Sequence, residues 1–185
     1  MVTGGTERKE LQRVILEMEK MNEKAAAINT AAFFSLVNHP LKFKLFLLKN
    51  LPSACFSGLK IVQANTASCT VSIPFKWFTK NPFRSTYFAC LGMAAEMSTG
   101  VLAMAHLYKR KPAVSMLVTG IEGKFYKKAT GITLFQCKDG ATIQAAIDTA
   151  VSSGLPVEIK AHSIGKNSRG ETVAEFWIAW SFRAK

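Results

Sequence analysis

One acidic residue stands alone in the most apolar stretch of the chain. Residues 89–105 are small or apolar apart from Glu96, which is the only charged side chain among them. A carboxylate in apolar surroundings is costly unless it is paired, hydrogen-bonded or protonated. Such a group can act as a general base or nucleophile, and it can equally be a satisfied structural acid. Glu96 alone leaves both interpretations open.

A second candidate group precedes this segment. Asn81 stands before Pro82, where asparagine is commonly a turn residue, but its amide could also orient a carbonyl or a water near Glu96. A helix starting around Tyr87–Ala89 offers free backbone N–H groups, which can polarise a carbonyl or stabilise an oxyanion. We therefore treat Asn81, the helix start and Glu96 as one candidate site.

Hydrophobic spacing predicts the helices and strands that hold these groups. The segment from Ser85 to His106 is predicted to be a buried helix, because it is apolar on every side. Gly92 and Gly100 each cost about 1 kcal/mol in a helix interior, so we expect close backbone contact there. Strands in adjacent pairs predict an antiparallel sheet with the long helix on one face. The remaining predicted elements are helices at 7–37, 41–50 and 141–151, two strands within 58–75, and strands at 113–128, 132–137, 157–162 and 173–182.

Composition restricts the class of protein. The 185 residues suit a single domain, and 49% hydrophobic with 19% charged residues exclude intrinsic disorder for most of the chain. The net charge of +12 favours anionic partners such as nucleic acid, an anionic membrane or phosphate-bearing molecules. Four scattered cysteines and three histidines show no metal-ligand spacing, and they fit reduced thiols in the cytoplasm. The polar N-terminus predicts no secretory signal.

Residues 41–50 alternate apolar and cationic side chains. We expect them to form a short helix that covers the core, although contact with a membrane surface is also possible. The longest uncharged runs, 25–41 and 85–108, are interrupted by polar residues or by Glu96. They do not predict a transmembrane span.

The loop and helix around the candidate site resemble a known signature, that of hotdog-fold acyl-CoA thioesterases. The matching residues are Asn81-Pro-Phe-Arg-Ser-Thr-Tyr87-Phe-Ala89 and Ala-Ala-Glu96. The similarity is to the 4-hydroxybenzoyl-CoA and phenylacetyl-type branch and to uncharacterised thioesterase-like relatives. Val118–Thr130 resembles the strand that follows this helix in the family. The resemblance implies an α+β hotdog fold, an antiparallel sheet wrapped around a long central helix, with an N-terminal helical extension at 1–53 and the hotdog domain at 54–185.

The resemblance implies hydrolysis of an acyl-CoA thioester to free acid and CoA. Glu96 falls on the position of the catalytic Asp or Glu, which acts as general base or nucleophile. Asn81 falls on the Gln or Asn position that helps to place the thioester or water. Phe88 and Ala89 occupy the positions whose backbone N–H polarises the thioester carbonyl.

Other substrate contacts are implied in the same way. Tyr87 stands where many members carry His, and Thr99 adjoins Gly100, where Ser or Thr often assists. Coenzyme A carries several phosphate charges, which basic residues near the site entrance could bind, although a solvated cationic face would explain the same residues. The candidates are Arg84, Lys124, Lys127 and Lys128. No cofactor or metal is expected beyond coenzyme A as part of the substrate.

Members of this family pair edge to edge, so we expect a homodimer or tetramer with sites at the subunit interface. Two alternatives to a thioesterase stay open from the sequence. One is a non-catalytic hotdog protein that binds a fatty-acyl or lipid ligand. The other is a nucleic-acid-binding domain, which only the charge favours and which we do not expect.

Overall fold

A computed structural model describes residues 4–185, so the first three residues of the polar N-terminal segment lie outside it. Five helices and one 3₁₀ turn, at Trp77–Thr79, accompany six strands. The helices are α1 (Gly4–Val37), α2 (Pro40–Asn50), α3 (Pro52–Ser57), α4 (Phe88–Leu107) and α5 (Gly140–Ser153). The strands are β1 (Lys60–Ala64), β2 (Cys69–Ile73), β3 (Val114–Phe125), β4 (Thr133–Cys137), β5 (Val157–Lys166) and β6 (Thr172–Ala184).

The six strands form one antiparallel sheet in the order β1-β2-β4-β5-β6-β3. The helix α4 lies across one face of this sheet and contacts β2, β4, β5 and β6. This arrangement confirms the predicted α+β hotdog, with a central helix against an antiparallel sheet. The strand β3 forms one edge and β1 the other, so both present unpaired backbone groups within the described chain.

Close approach between α4 and β6 depends on the two glycines of the helix. A Cβ atom built on Gly92 would lie 3.4 Å from the ring of Phe176, and one on Gly100 would lie 3.3 Å from the indole of Trp180. The predicted close contact is observed at Gly100, whereas the distance at Gly92 is that of an ordinary van der Waals contact. Among residues 4–185, α4 is also the one helix long and apolar enough to cross a membrane, but it is packed inside the fold.

The N-terminal helices attach to the hotdog core at specific points. The last part of α1 buries Phe33, Phe34 and Val37, and Thr30 donates a hydrogen bond to the carbonyl of Ala105 in α4 (3.1 Å). Asn38 makes two hydrogen bonds with the backbone of Ala64, which ties this region to β1. The apolar residues of the first part of α1 stay exposed: Leu11, Val14, Ile15, Met18 and Met21.

Several boundaries differ from the predicted ones. The central helix begins at Phe88, not Ser85, because Thr86 pairs with Lys80 in a β-bridge and donates its backbone N–H to Ala129. The short helix α3 was not predicted, and the predicted boundary between residues 53 and 54 lies within it. The strand β5 continues to Lys166, beyond the predicted end at residue 162.

Candidate functional site

Glu96 lies in the third turn of α4 on its least covered side. Ala89 and Met93 share this side and are exposed or half-buried, whereas Ala94, Ala95 and Met97 are buried. The Glu96 side chain is itself half-buried. No donor in the described part of the chain lies within hydrogen-bond or ion-pair distance of its carboxylate. The carboxylate is therefore not neutralised by a structural partner.

The space around the Glu96 carboxylate is defined by Gly100 and Trp180. Its Oε1 atom is 3.3 Å from where a Cβ of Gly100 would stand, and the Trp180 ring edge is at the same distance. The indole is held in place because its Nε1–H donates to the hydroxyl of Thr99 (2.9 Å). That hydroxyl in turn donates to the backbone carbonyl of Glu96 (2.9 Å). Thr99 is fully buried, so its hydroxyl holds the Trp180 indole against α4, one turn beyond Glu96.

Burial raises the pKa of the Glu96 carboxyl above its ordinary value of 4.5. The cause is desolvation, which disfavours the charged form. No cation opposes this shift. A carboxylate with a raised pKa is a stronger base than an exposed one, and this property suits proton abstraction from water.

Asn81 organises the loop that leads into α4. Its Oδ1 atom accepts hydrogen bonds from the backbone N–H of Phe83 (3.0 Å) and from the N–H and hydroxyl of Ser85 (both 3.2 Å). Arg84, inside this turn, adopts a left-handed backbone (φ 59°), which is uncommon for a non-glycine residue. The Nδ2 of Asn81 has no acceptor within residues 4–185. Asn81 is thus a turn residue, as one of the two interpretations had it, and a role of its amide in orienting a carbonyl or water stays a prediction.

The start of α4 offers free N–H groups. Tyr87 precedes the helix and supplies no side-chain cap, while the N–H groups of Cys90 and Leu91 bond to its carbonyl. The N–H groups of Phe88 and Ala89 have no acceptor in the described part of the chain. Free N–H groups at a helix start attract negative charge, so they suit a developing oxyanion.

An open groove of about 590 Å³ lies at this end of α4. Phe88 and Phe125 form part of its wall, with ring centroids 6.5 Å apart. The groove brings together several predicted site residues: Asn81, Tyr87, Phe88, Lys127 and Lys128. Arg84 lies beside it in a smaller cavity of about 420 Å³, which Asn81 also lines.

Glu96 does not line this groove. Glu96 stands eight positions after Phe88 in α4, which corresponds to about 12 Å along the helix axis at 1.5 Å per residue. A thioester carbonyl polarised at the helix start is therefore out of reach of this carboxylate. Within the chain, the two parts of the predicted site lie at separate places on one helix.

The basic residues divide into paired and unpaired groups. Lys127 forms an ion pair with Glu171, whose pKa is lowered to about 2 mainly by hydrogen bonds from Lys127, Asn167 and Arg169. Lys124 lies 5.2 Å from the ring centre of Trp177, a cation–π contact outside the groove. Lys128 lines the groove and has no ion-pair partner within the described residues. Lys128 and Arg84 are thus the cations most available to an anionic ligand.

The edge strand β3 has an uncovered apolar face on the helix side of the sheet. Ile121 and Phe125 pair with the buried Ile178 and Ala174 of β6, so they point to the same side as α4. Both are nevertheless more than half exposed, because α4 does not extend over them. Ile121 and Phe125 therefore form an exposed apolar face beside the unpaired edge of β3.

Two residues around the site were not predicted from the sequence. Trp180 was assigned only to the last predicted strand, yet its ring edge packs against α4 at Gly100, one turn beyond Glu96. Phe125 was placed in a strand, yet it forms a wall of the groove. The periodicity of β6 could have indicated that Trp180 faces the helix, because Ile178 and Phe182 alternate with it. No residues with described side chains form a three-ligand His, Cys, Asp or Glu cluster.

Solved structures share this architecture at low sequence identity. A protein of unknown function from Pseudomonas aeruginosa, PA5026, described as a probable thioesterase, matches with a TM-score of 0.67 and 19% identity over 81% of this chain and 99% of its own. Thioesterase HI1161 from Haemophilus influenzae matches with a TM-score of 0.55 and 10% identity over 76% of this chain and 88% of its own. A mutant of thioesterase PA1618 from Pseudomonas aeruginosa matches with a TM-score of 0.58 and 13% identity over 78% of this chain and 94% of its own.

These solved structures share the hotdog fold of this chain. A search of curated proteins found no matching relative. A family model described as a domain of unknown function, DUF4442, matches residues 43–181, which is most of the chain. The chain belongs to the DUF4442 family.

Proposed function

We propose that the protein hydrolyses acyl-CoA thioesters, releasing a free acid and CoA. The observation that carries this proposal is the Glu96 carboxylate, which is half-buried, has a raised pKa and lacks any partner that would neutralise it. An uncompensated carboxylate on the central helix costs stability, and a catalytic use explains why that cost is tolerated.

In the proposed reaction, Glu96 accepts a proton from water while the water oxygen attacks the thioester carbonyl carbon. The carbonyl becomes a tetrahedral oxyanion that accepts hydrogen bonds from the N–H groups of Phe88 and Ala89. Collapse of this intermediate breaks the carbon–sulfur bond and forms the acid. The leaving CoA thiolate takes up the proton, so atoms and charges balance. The free Nδ2–H₂ of Asn81 can orient the carbonyl or the water.

The separation of about 12 Å along α4 between these N–H groups and Glu96 supports a site shared by two subunits. We propose a homodimer in which the β3 edges pair and extend the sheet across both copies. The second copy's helix would then cover Ile121 and Phe125, and its Glu96 would approach the helix start of the first copy. The exposed edge and the apolar residues beside it support this assembly.

The groove at the helix start suits the proposed substrate in two ways. Aromatic side chains such as Phe83, Phe88 and Phe125 offer an apolar wall to an acyl group. Lys128 lines the same groove, and Arg84 lies in the adjoining cavity, where each can bind a CoA phosphate. Four free thiols support a cytoplasmic location, where coenzyme A is a substrate component.

The test is a panel of aliphatic and aromatic acyl-CoA substrates, with the released CoA thiol detected colorimetrically. We expect turnover of at least one substrate, and a loss of about 10²–10⁴-fold in kcat for Glu96→Gln, the usual contribution of a general base. Hydrolysis that is unchanged in Glu96→Gln would remove this residue from the mechanism. Absence of turnover across the panel would contradict the proposal.

A second candidate is a non-catalytic hotdog protein that binds a fatty-acyl ligand. No polar group among the described residues hydrogen-bonds to the Glu96 carboxylate, and this favours the alternative, since Gly100 stands where a hydroxyl could do so. It predicts saturable binding of an acyl-CoA that stays intact after prolonged incubation. Recovery of the unhydrolysed ligand by mass spectrometry would distinguish it from the thioesterase.

A further inference from the structure

The outward face of α2 is a stripe of leucines. Phe43 and Leu47 are buried against the core, whereas Leu41, Leu45 and Leu48 are all exposed. Spacings of four and three residues place these leucines on one side of the helix, opposite the buried pair. The helix therefore covers the core with one apolar face and presents a second apolar face to solvent.

Lysines border this stripe on both sides. At 100° per residue, Lys44 lies to one side of the leucines, and Lys42 and Lys49 lie to the other. All three are exposed, and none forms an ion pair within the described residues. Long lysine side chains can extend away from an apolar contact surface, so their ammonium groups reach a polar layer above it.

The neighbouring elements extend the exposed apolar surface. The helix α3 follows α2 and packs against it, and the 3₁₀ turn packs against α3. Phe56 of α3 and Phe78 of the turn are both exposed, and their ring centroids are 6.3 Å apart. Trp77, beside Phe78, is 79% exposed, the largest exposed fraction among the described large apolar residues. Lys76 and Lys80 flank this turn.

Acidic residues are absent from this whole part of the sequence. Residues 25–95 contain seven Lys and Arg and no Asp or Glu. The negative charges that balance surface lysines elsewhere, as Glu122 does for Lys160, do not occur there. The surface therefore combines apolar side chains with lysines that form no ion pair within the described residues.

We propose that α2, with the aromatic residues of α3 and the 3₁₀ turn, docks on an anionic lipid bilayer. Leu41, Leu45 and Leu48 enter the boundary between headgroups and acyl chains, while the flanking lysines bind the anionic headgroups. An exposed tryptophan suits the same interfacial depth. A second copy of the chain fits this face less well, because facing lysine rows would repel each other with no carboxylate between them.

The experiment is sedimentation of the full-length protein with vesicles. We expect binding to phosphatidylcholine vesicles that contain about one third phosphatidylserine, and little binding to pure phosphatidylcholine. Leu45→Glu should weaken binding at least tenfold, because it removes an inserted apolar side chain and adds a repelled charge. Replacing Lys42, Lys44 and Lys49 together by Gln should weaken it about a hundredfold.

Matched controls separate this surface from general charge. Leu155→Glu alters an equally exposed leucine (65%, against 58% for Leu45) with the same change of net charge, and it should bind like the wild type. The control for the lysine triple variant combines Lys138→Gln, Lys166→Gln and Lys185→Gln. Equal losses in the controls, or equal binding to neutral vesicles, would overturn the proposal. Self-association that Leu45→Glu abolishes, without vesicle binding by the wild type, would also overturn it and assign the face to a second copy.

Discussion

The hydrogen bond from Trp180 to Thr99 connects the stability of the fold to the position of Glu96. Both side chains are buried, so no other donor replaces the indole N–H when it is removed. We expect Trp180→Phe to lose about 1 kcal/mol from this bond and about 1–2 kcal/mol from the smaller buried ring. The melting temperature should fall by about 4–12 °C, at 2–4 °C per kcal/mol for a chain of this size.

The assay is urea unfolding of a double-mutant cycle with Trp180→Phe and Thr99→Val. The pair should show a coupling free energy of about 1 kcal/mol, because either change alone breaks the same bond. Trp177→Phe is the matched control on the same strand, since its indole stacks on His162 at a half-buried position and has no hydrogen bond within the described residues. It should cost clearly less than Trp180→Phe.

Two results would contradict the role given to the hydrogen bond between Trp180 and Thr99. Coupling near zero would mean that the bond between Trp180 and Thr99 does not hold the indole in place. An equal cost for Trp177→Phe would mean that ring size alone, and not the buried hydrogen bond, decides stability. In either case, this hydrogen bond would not be what positions Glu96.

The remaining predictions concern protonation and assembly. Glu96→Gln should raise the free energy of unfolding at neutral pH, because the wild-type carboxyl, with its raised pKa, is destabilising when ionised. This gain in stability should vanish as the pH falls below 4.5, where the carboxyl is protonated in both folded and unfolded chains. Urea titrations of both proteins at several pH values measure the difference in unfolding free energy. A difference that stays constant with pH would contradict the prediction. Ile121→Asp should convert the proposed dimer to a monomer in light scattering, whereas Ile132→Asp, at a similarly exposed isoleucine outside β3 (58% against 59%), should leave it intact. Loss of the dimer in both variants would count against pairing through β3.

Hydrophobic spacing was sufficient to predict most of the fold. The apolar segment around Glu96 predicted a buried central helix, and paired short strands predicted the antiparallel sheet. The strand order was not derivable from spacing, because β3 pairs with β6, across β4 and β5 in the sequence. Pairings between segments so distant in the chain depend on tertiary packing, which local patterns do not encode.

The predicted helix boundaries were wrong where other hydrogen bonds compete with the backbone hydrogen bonds of a helix. Ser85 and Thr86 extend the helical pattern, but the turn built by Asn81 and the bond from Thr86 to Ala129 keep them outside α4. Pro52 starts a short helix in a segment for which no element was predicted. Such outcomes follow from contacts that form only when the chain is folded.

The site was predicted in part. A single carboxylate among apolar residues is visible in the sequence, and so is the asparagine before Pro82. Their mutual distance is not visible, and the groove includes Asn81 but not Glu96. The contribution of Trp180 was also missed, because an aromatic residue in a strand is usually only part of the core.

The central claim is that Glu96 acts as the base, and the most direct test is kcat/KM for acyl-CoA hydrolysis as a function of pH. For the wild type, we expect a tenfold fall per pH unit below an apparent pKa that lies above the ordinary carboxyl value of 4.5. Glu96→Gln should lose this acid limb together with most of the activity, while Glu158→Gln on the outer face of the sheet should retain both. An acid limb that persists unchanged in Glu96→Gln would contradict the account.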